Sequence, residues 1–354
     1  MEFKGKQIYT EEDISVGDPY RQGYAEGLQN FVEELNRKGA EARRRFVSPE
    51  EFPQKLESYR REYLRMLGVA HMDVSAPERY DCEEVGQDEI CKIYRYALHM
   101  QEGIPFYGIL FVPHERKHPA PLVICQHGGH GTPELAANMH GKNNYGNMIQ
   151  RTLERGAIVF APQLLLWRHR GESDAQRTHP IPHDRRQLDA SLKRFGLSIT
   201  GLEISFLRRA IGFFSQMEEV DAERIGMMGI SYGGYFTLHT MAADTRIKVG
   251  YSNACFNDRH YYPSFTDWYY KNAGNRFQDA EVAALCAPRK LFLSVGKADP
   301  VFDYRHAVSE AERVKDYFKA FGKEENLVFQ VWEGGHTVSN TNEGYDFFFG
   351  ALNA

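Results

Sequence analysis

Residues 225–234 read Ile-Gly-Met-Met-Gly-Ile-Ser-Tyr-Gly-Gly, and the chain continues Tyr-Phe-Thr-Leu-His-Thr-Met-Ala-Ala to position 243. The first six residues form a short apolar run with the character of a buried strand, and the last nine have that of a helix. Between them stands Gly229-Ile230-Ser231-Tyr232-Gly233, a GxSxG pentapeptide. On its own this pattern describes any Gly-rich turn. Between a strand and a helix it describes a sharp corner that lifts a serine hydroxyl above the edge of a sheet. The flanking glycines permit the close strand–helix approach that such a corner requires.

A serine hydroxyl is a weak nucleophile until a neighbouring base takes its proton. Fourteen histidines compete for that role. His336, in Gly334-Gly335-His336, follows the apolar run 327–332 and satisfies the chain order serine, acid, histidine. The acid is expected after a strand lying between the two. Lys290–Val295 reads as that strand, and Gly296-Lys297-Ala298-Asp299-Pro300 follows it. Asp299 is therefore favoured to orient the imidazole, with Asp303 as its rival. Charge developing on a carbonyl oxygen needs fixed donors. The N–H of Tyr232 is one, and the loop His127-Gly128-Gly129-His130-Gly131 after Pro121–Gln126 offers Gly129 as the second. That loop lacks both the Lys-Ser/Thr of a P-loop and the spacing of a dinucleotide site.

Around these motifs, the runs 121–126, 157–161, 225–230, 249–254, 290–295 and 327–332 are short and almost wholly apolar. Helical stretches at 144–155, 198–218, 233–243, 305–320 and 342–351 lie between or after them. This is the pattern of a mostly parallel sheet covered on both faces. Residues 91–100 and 104–113 add an antiparallel hairpin, for about eight strands in all. The expected organisation is an N-terminal helical extension over 1–85 and an α/β catalytic domain over 86–354. In the extension, Phe52, Leu56, Tyr59, Tyr63 and Leu67 mark one helical stripe, with Ser48 as N-cap, Pro49 at the first position and Gly68 as the stop. Such an extension either packs on the main domain or serves as a homo-oligomer contact.

Two inserts follow predicted strands and so fall at the carboxyl ends of the sheet, where such folds bind ligands. The first, 163–194, shows no clear element and holds Trp167, seven Arg/Lys residues and His169, His179 and His183. It reads either as a pocket wall for anionic or sugar-derived substrates or as a solvated loop. The second, 257–276, is rich in Tyr and Trp, and its aromatics serve either sugar stacking or core packing. His130, Trp167 and Trp268 are the candidate substrate-binding residues.

The bulk numbers narrow the alternatives. Among 354 residues, 42% are hydrophobic and 26% charged, as in ordinary globular proteins. A net charge of −5 supplies no field for nucleic acid or anionic membrane. Five scattered cysteines without a CxxC pair suggest neither a disulfide framework nor a zinc site. No metal or cofactor is expected. Residues 1–20 contain no apolar segment of the signal-peptide kind, so the expected location is the cytoplasm.

Taken together, YGILFVP, PLVICQHGGHG, ERGAIVFAPQ, GISYGG, VGKADP and EGGHT resemble the α/β-hydrolase superfamily, in its dienelactone hydrolase-like and acetyl xylan esterase-like branch. The resemblance spans roughly residues 90–340. It implies a metal-free esterase acting on acetylated sugars or other small acyl esters, with Ser231, Asp299 and His336 as the triad and Gly129 and Tyr232 as oxyanion amides. Dienelactone hydrolases proper use a cysteine nucleophile, so Ser231 turns the expectation toward the esterases. An amide or peptide hydrolase on the same triad, or a catalytically silent binding protein on this fold, are the alternatives.

Overall fold

The structure of the chain is a computed structural model. It describes residues 13–46, 48–139, 144–166 and 184–354, with the backbone of two short strands, Glu2–Phe3 and Lys6–Gln7. Trp167, His169, His179 and His183 lie outside the described residues.

A nine-stranded sheet forms the centre. Its strands are β1 (Tyr80–Gln87), β2 (Cys91–His99), β3 (Pro105–Pro113), β4 (Ala120–Gln126), β5 (Ile158–Pro162), β6 (Val220–Ile230), β7 (Ile247–Asn253), β8 (Lys290–Gly296) and β9 (Leu327–Trp332). The spatial order is β9-β8-β7-β6-β4-β5-β3-β2-β1. The pairs from β5 through β9 are parallel, while β1, β2 and β3 join antiparallel. This is the α/β architecture expected from the sequence, with one more strand. β1 escapes a hydrophobicity reading because it is the sheet edge: seven of its eight residues are exposed, and the sequence YDCEEVGQ shows no apolar alternation. It also straddles position 85, so the sheet begins before the expected boundary of the extension.

Helix α1 (Asp18–Phe46) precedes α2 (Phe52–Met66). The core strands read as continuous apolar runs because both faces are covered; every residue of β4 and β5 is buried. On the two faces lie α3 (Pro133–Ala136), α4 (Met148–Leu153), α5 (Arg185–Lys193), α6 (Ile199–Phe214), α7 (Tyr232–Ala243), α8 (Asp279–Cys286), α9 (Tyr304–Ala320) and α10 (Glu343–Leu352).

Two expectations need correction. α2 begins at Phe52 with Glu51 at its N-cap and Pro53 in its first turn, not at Ser48-Pro49; Pro49–Glu51 form the preceding turn. Gly68, at φ +83°, does end it. The insert 163–194 is not free of structure, since α5 occupies 185–193 behind an Asp184 cap. Within 257–276 the backbone is irregular apart from short 3₁₀ turns, as expected of an insert, and α8 follows directly.

The extension packs on the sheet domain through α2. Phe52, Tyr59, Tyr63 and Met66 join the main core. Arg60, itself buried, donates to the carbonyls of Ala242 and Leu285 at 3.0 Å each. Those carbonyls lie in the last turns of α7 and α8, where the helix dipole favours a cation. No helix among the described residues is long and apolar enough to cross a membrane.

Candidate active site

The register brings five strand ends level. Gln126 of β4 pairs with Gly229 of β6, Ile230 with Asn253 of β7, Asn253 with Ser294 of β8, and Gly296 with Trp332 of β9. The loops carrying Gly129, Ser231, Asp299 and His336 therefore leave the sheet on one edge.

Ser231 sits at φ +56°, ψ −119°, between β6 and the first residue of α7. A non-glycine residue with positive φ typically costs about 1–3 kcal/mol and persists where its surroundings over-determine it. Here they do. The Ser231 N–H donates to Asn253 O at 2.8 Å, and its carbonyl accepts from Tyr235 N–H at 2.9 Å. A Cβ on Gly229 would lie 2.5 Å from the Gly233 backbone, and one on Gly233 would lie 2.1 Å from Gln126 O. Only glycine fits at either place.

His336 Nδ1 and Asp299 Oδ2 are 2.8 Å apart, with the Asp299 side chain 1% exposed and that of His336 18% exposed. The other oxygen of Asp299 accepts from the N–H groups of Val301 at 2.7 Å and Phe302 at 3.1 Å, which fixes the carboxylate. The two loops are laced together. Ala298 N–H donates to Gly334 O, and a Cβ on Gly296 would strike that same carbonyl at 2.3 Å. Asn144 Nδ2 donates to His336 O at 2.9 Å, and Thr337 Oγ1 donates to Asn144 O at 2.7 Å. Asp303 is placed differently: it caps α9 through Arg305 N–H and pairs with the Arg305 guanidinium, which holds its carboxyl down to about 2.

On the other side of Ser231 runs the loop 127–131. A Cβ on Gly128 would lie 3.7 Å from Ser231 Cβ, so this loop borders the serine directly. The Gly128 N–H donates to Tyr145 Oη at 3.1 Å. His127, fully buried, clamps the loop: its Nε2 accepts from Leu164 N–H at 3.0 Å. That leaves the ring proton on Nδ1, which donates to Gly128 O at 2.7 Å. His127 and Tyr145 were not among the residues expected from sequence, and nothing in their local spacing marks them. Gly129 is buried and His130 is exposed at the tip of the turn.

Tyr232 is the first residue of α7 and fully buried. The Arg185 guanidinium lies 4.6 Å from its ring centre. Arg185, also fully buried, pairs with Glu203 at 2.5 Å and Asp267 at 2.7 Å. Burial pushes Glu203 up to about 7 against the opposing pull of Arg185. This cluster ties α5, α6 and the aromatic insert together under the residue that follows Ser231. Arg185 of the insert is thus a buried brace, whereas Arg186 and Arg194 are exposed.

Trp268 does not offer a sugar-stacking face. It is 3% exposed, stacked on Tyr235 and Phe265 at 4.6 Å each, and covered by Arg259 at 4.4 Å. Core packing is the role of this aromatic, and Arg259 is itself held by Asp279 at 2.6 Å. Beside the clamp formed by Leu164, a recess of about 660 Å³ is lined by Phe106, Leu165, Leu166, Leu202, Glu203 and Phe206, among others.

The nine-stranded sheet, its order and the serine at the β6–α7 corner define the α/β-hydrolase fold. The sequence pattern of the prolyl oligopeptidase family matches residues 208–347, the stretch from α6 to α10 that includes Ser231, Asp299 and His336. Solved structures are similar over most of the chain. A Bacteroides fragilis protein provisionally assigned as an acetyl xylan esterase is 14% identical with a TM-score of 0.64, over 85% of this chain and 83% of its own. A glucuronoyl esterase from Solibacter usitatus is 15% identical with a TM-score of 0.60, over 83% and 92%. Acetyl xylan esterase 1 from a Thermoanaerobacterium species is 17% identical with a TM-score of 0.53, over 84% and 92%. No protein of curated description matches the sequence.

Proposed function

We propose that this chain is a serine esterase that cleaves small carboxylic esters through an acyl-Ser231 intermediate, with acylated sugars as the preferred substrate class. One observation carries the reading. A serine is held at positive φ on the strand–helix corner, while the imidazole of the matching loop is oriented by a buried, doubly anchored carboxylate.

In this scheme the His336 Nδ1–H donates to Asp299, which leaves Nε2 as the base. Ser231 Oγ attacks the ester carbonyl as its proton passes to Nε2. The carbonyl oxygen becomes an oxyanion facing the amides of Tyr232 and Gly129. The assignment of Gly129 rather than Gly128 is supported by the Gly128 N–H being engaged by Tyr145. The Tyr232 amide is at the start of α7, where the first N–H groups have no intrahelical acceptor. The imidazolium then protonates the departing alkoxide, and water, deprotonated by the same imidazole, releases the acid. The residues before Tyr80 are read as an extension buttressing a catalytic domain whose sheet begins with β1.

The structural likeness to carbohydrate esterases supports the sugar-ester reading, as does His130 at the exposed tip of the oxyanion loop. The family match to prolyl oligopeptidases favours a second reading, amide or peptide bond cleavage on the same three residues. A cytoplasmic location is consistent with five unpaired cysteines, of which Cys82 is exposed.

The test is a hydrolysis panel of p-nitrophenyl acyl esters, acetylated sugars and prolyl amides, with fluorophosphonate labelling in parallel. Turnover of esters over amides, with labelling lost in Ser231→Ala, is expected. Amide turnover exceeding ester turnover would select the second reading. A chain that neither labels nor turns over any substrate would end both.

A further inference from the structure

The first half of α1 stands away from the molecule. Every residue from Asp18 to Glu33 is exposed, although the helix runs on for 29 residues. The part that touches the body begins near Glu33, which reaches His260 at 3.3 Å. It continues with Gly39, whose Cβ position lies 2.5 Å from Gly274 O, and with Arg43, which meets buried Glu281 at 3.3 Å.

The projecting half is not polar all round, as a solvated arm should be. Tyr20, Tyr24, Leu28, Phe31 and Leu35 recur at spacings of four, four, three and four, which keeps them on one face. Tyr20 is 81% exposed, Tyr24 72% and Phe31 58%. At about 150–250 Å² per ring, these three alone present roughly 300–500 Å² of largely apolar surface. That equals the largest patch of a typical monomer, and Leu28, Val32 and Leu35 extend it. The stripe continues into the body contact, since Gly39 and Arg43 follow Leu35 at steps of four.

Gly23 and Gly27, four residues apart, border this face along one flank, with nothing within 4 Å of either Cβ position. Each glycine costs a helix about 1 kcal/mol relative to alanine. A 15-residue projection carrying two of them is marginal unless something packs against it. A backbone without Cβ atoms along one flank of an aromatic stripe lets a second helix come close.

We propose that α1 is a self-association arm: the stripe Tyr20–Leu35 packs against the same stripe of a second copy of this chain about a two-fold axis. The stripe is a single continuous patch, as a two-fold contact needs, because the same surface serves both partners. Two copies would together remove on the order of 1,000 Å², near the low end for a specific interface. A lipid surface fits less well. From Asp18 to Glu34 the helix carries four acidic residues and one basic residue, which anionic membranes repel.

The experiment is light scattering and sedimentation of the full chain over a wide concentration range, with hydrolase labelling as a check on folding. The wild type is expected at twice the chain mass. Tyr24→Glu/Phe31→Glu should shift it to the chain mass, leaving circular dichroism and labelling unchanged. Gln22→Glu/Gln29→Glu, on the opposite face, should leave the dimer intact. A wild type that stays monomeric throughout, a dimer indifferent to the stripe substitutions, or a monomer that sediments with phosphatidylserine vesicles would each overturn the proposal. The mass readouts and circular dichroism do not depend on the esterase assignment; only the labelling check does, so failure of labelling with an intact dimer would count against that assignment alone.

Discussion

Gly233→Ala is the substitution for which the structure gives the plainest arithmetic. Its Cβ would lie 2.1 Å from Gln126 O and 2.6 Å from His127 O, and both are backbone atoms at the end of β4. Neither can swing aside as a side chain would. Restoring ordinary van der Waals separation requires about 1 Å of movement between α7 and the β4 end, and overpacking of this kind costs about 1–3 kcal/mol. The movement also falls between Ser231, two residues before position 233, and the proposed oxyanion amide at Gly129. A misplacement of about 1 Å at a reacting centre can cost about 100-fold in rate. The expected outcome is a lower melting temperature with kcat for p-nitrophenyl acetate reduced by about two orders of magnitude. Gly350→Ala is the control. It lies on the exposed side of α10 with nothing within 4 Å of the added methyl, and should stabilise by up to about 1 kcal/mol with activity unchanged. A Gly233→Ala protein with wild-type kcat and melting temperature would refute the claim that steric closeness at this corner positions the site.

Other outcomes follow from the same contacts. Asp299→Asn should lower kcat by about 10⁴-fold, because the amide favours the wrong imidazole tautomer. Asp303→Ala should cost only its helix cap, about 1 kcal/mol in denaturant titration, with kcat nearly intact; equal kinetic losses in the two variants would reverse the assignment of the acid. Arg60→Met removes two buried hydrogen bonds that hold α2 to α7 and α8, and should destabilise by about 2–4 kcal/mol in urea unfolding. His239 is buried against Tyr63 Oη at 2.6 Å, and burial, with Arg259 adding repulsion, holds its pKa well below the ordinary 6.5. The unfolded chain therefore binds this proton first as pH falls. Stability is fully present above about pH 6.5 and declines below it, by at most about 1.4 kcal/mol per pH unit from this group. His239→Gln should flatten that acid limb of the melting temperature against pH, and an unchanged slope would show that the ring does not titrate on unfolding.

Much of the architecture was legible because it depends on local pattern. The run 225–243 must pass from strand to helix through a glycine-flanked corner, and the apolar runs 121–126, 157–161, 290–295 and 327–332 could only be covered strands. The order serine, aspartate, histidine then follows from where loops leave such strands. Elements without a pattern were missed. β1 is charged because it is an edge. α8, Asp-Ala-Glu-Val-Ala-Ala-Leu-Cys, is buried on every side and so shows no apolar stripe. The helix of α5 was hidden in an Arg-rich stretch whose Arg185 turned out to be wholly buried.

The sequence alone determined the α/β class, the strand–helix corner at Ser231 and the short list of partners for it, since these rest on period, glycine placement and chain order. Only the tertiary structure decided that Asp299 rather than Asp303 meets His336, that Trp268 is core, and that His127 and Tyr145 hold the loop beside the serine. The contacts that decide them, Asp299–His336, Tyr235–Trp268, His127–Leu164 and Gly128–Tyr145, join residues 17 to 37 positions apart in the chain. Hydrogen-bond geometry and burial arise only when strand ends are brought level, and no local spacing encodes them.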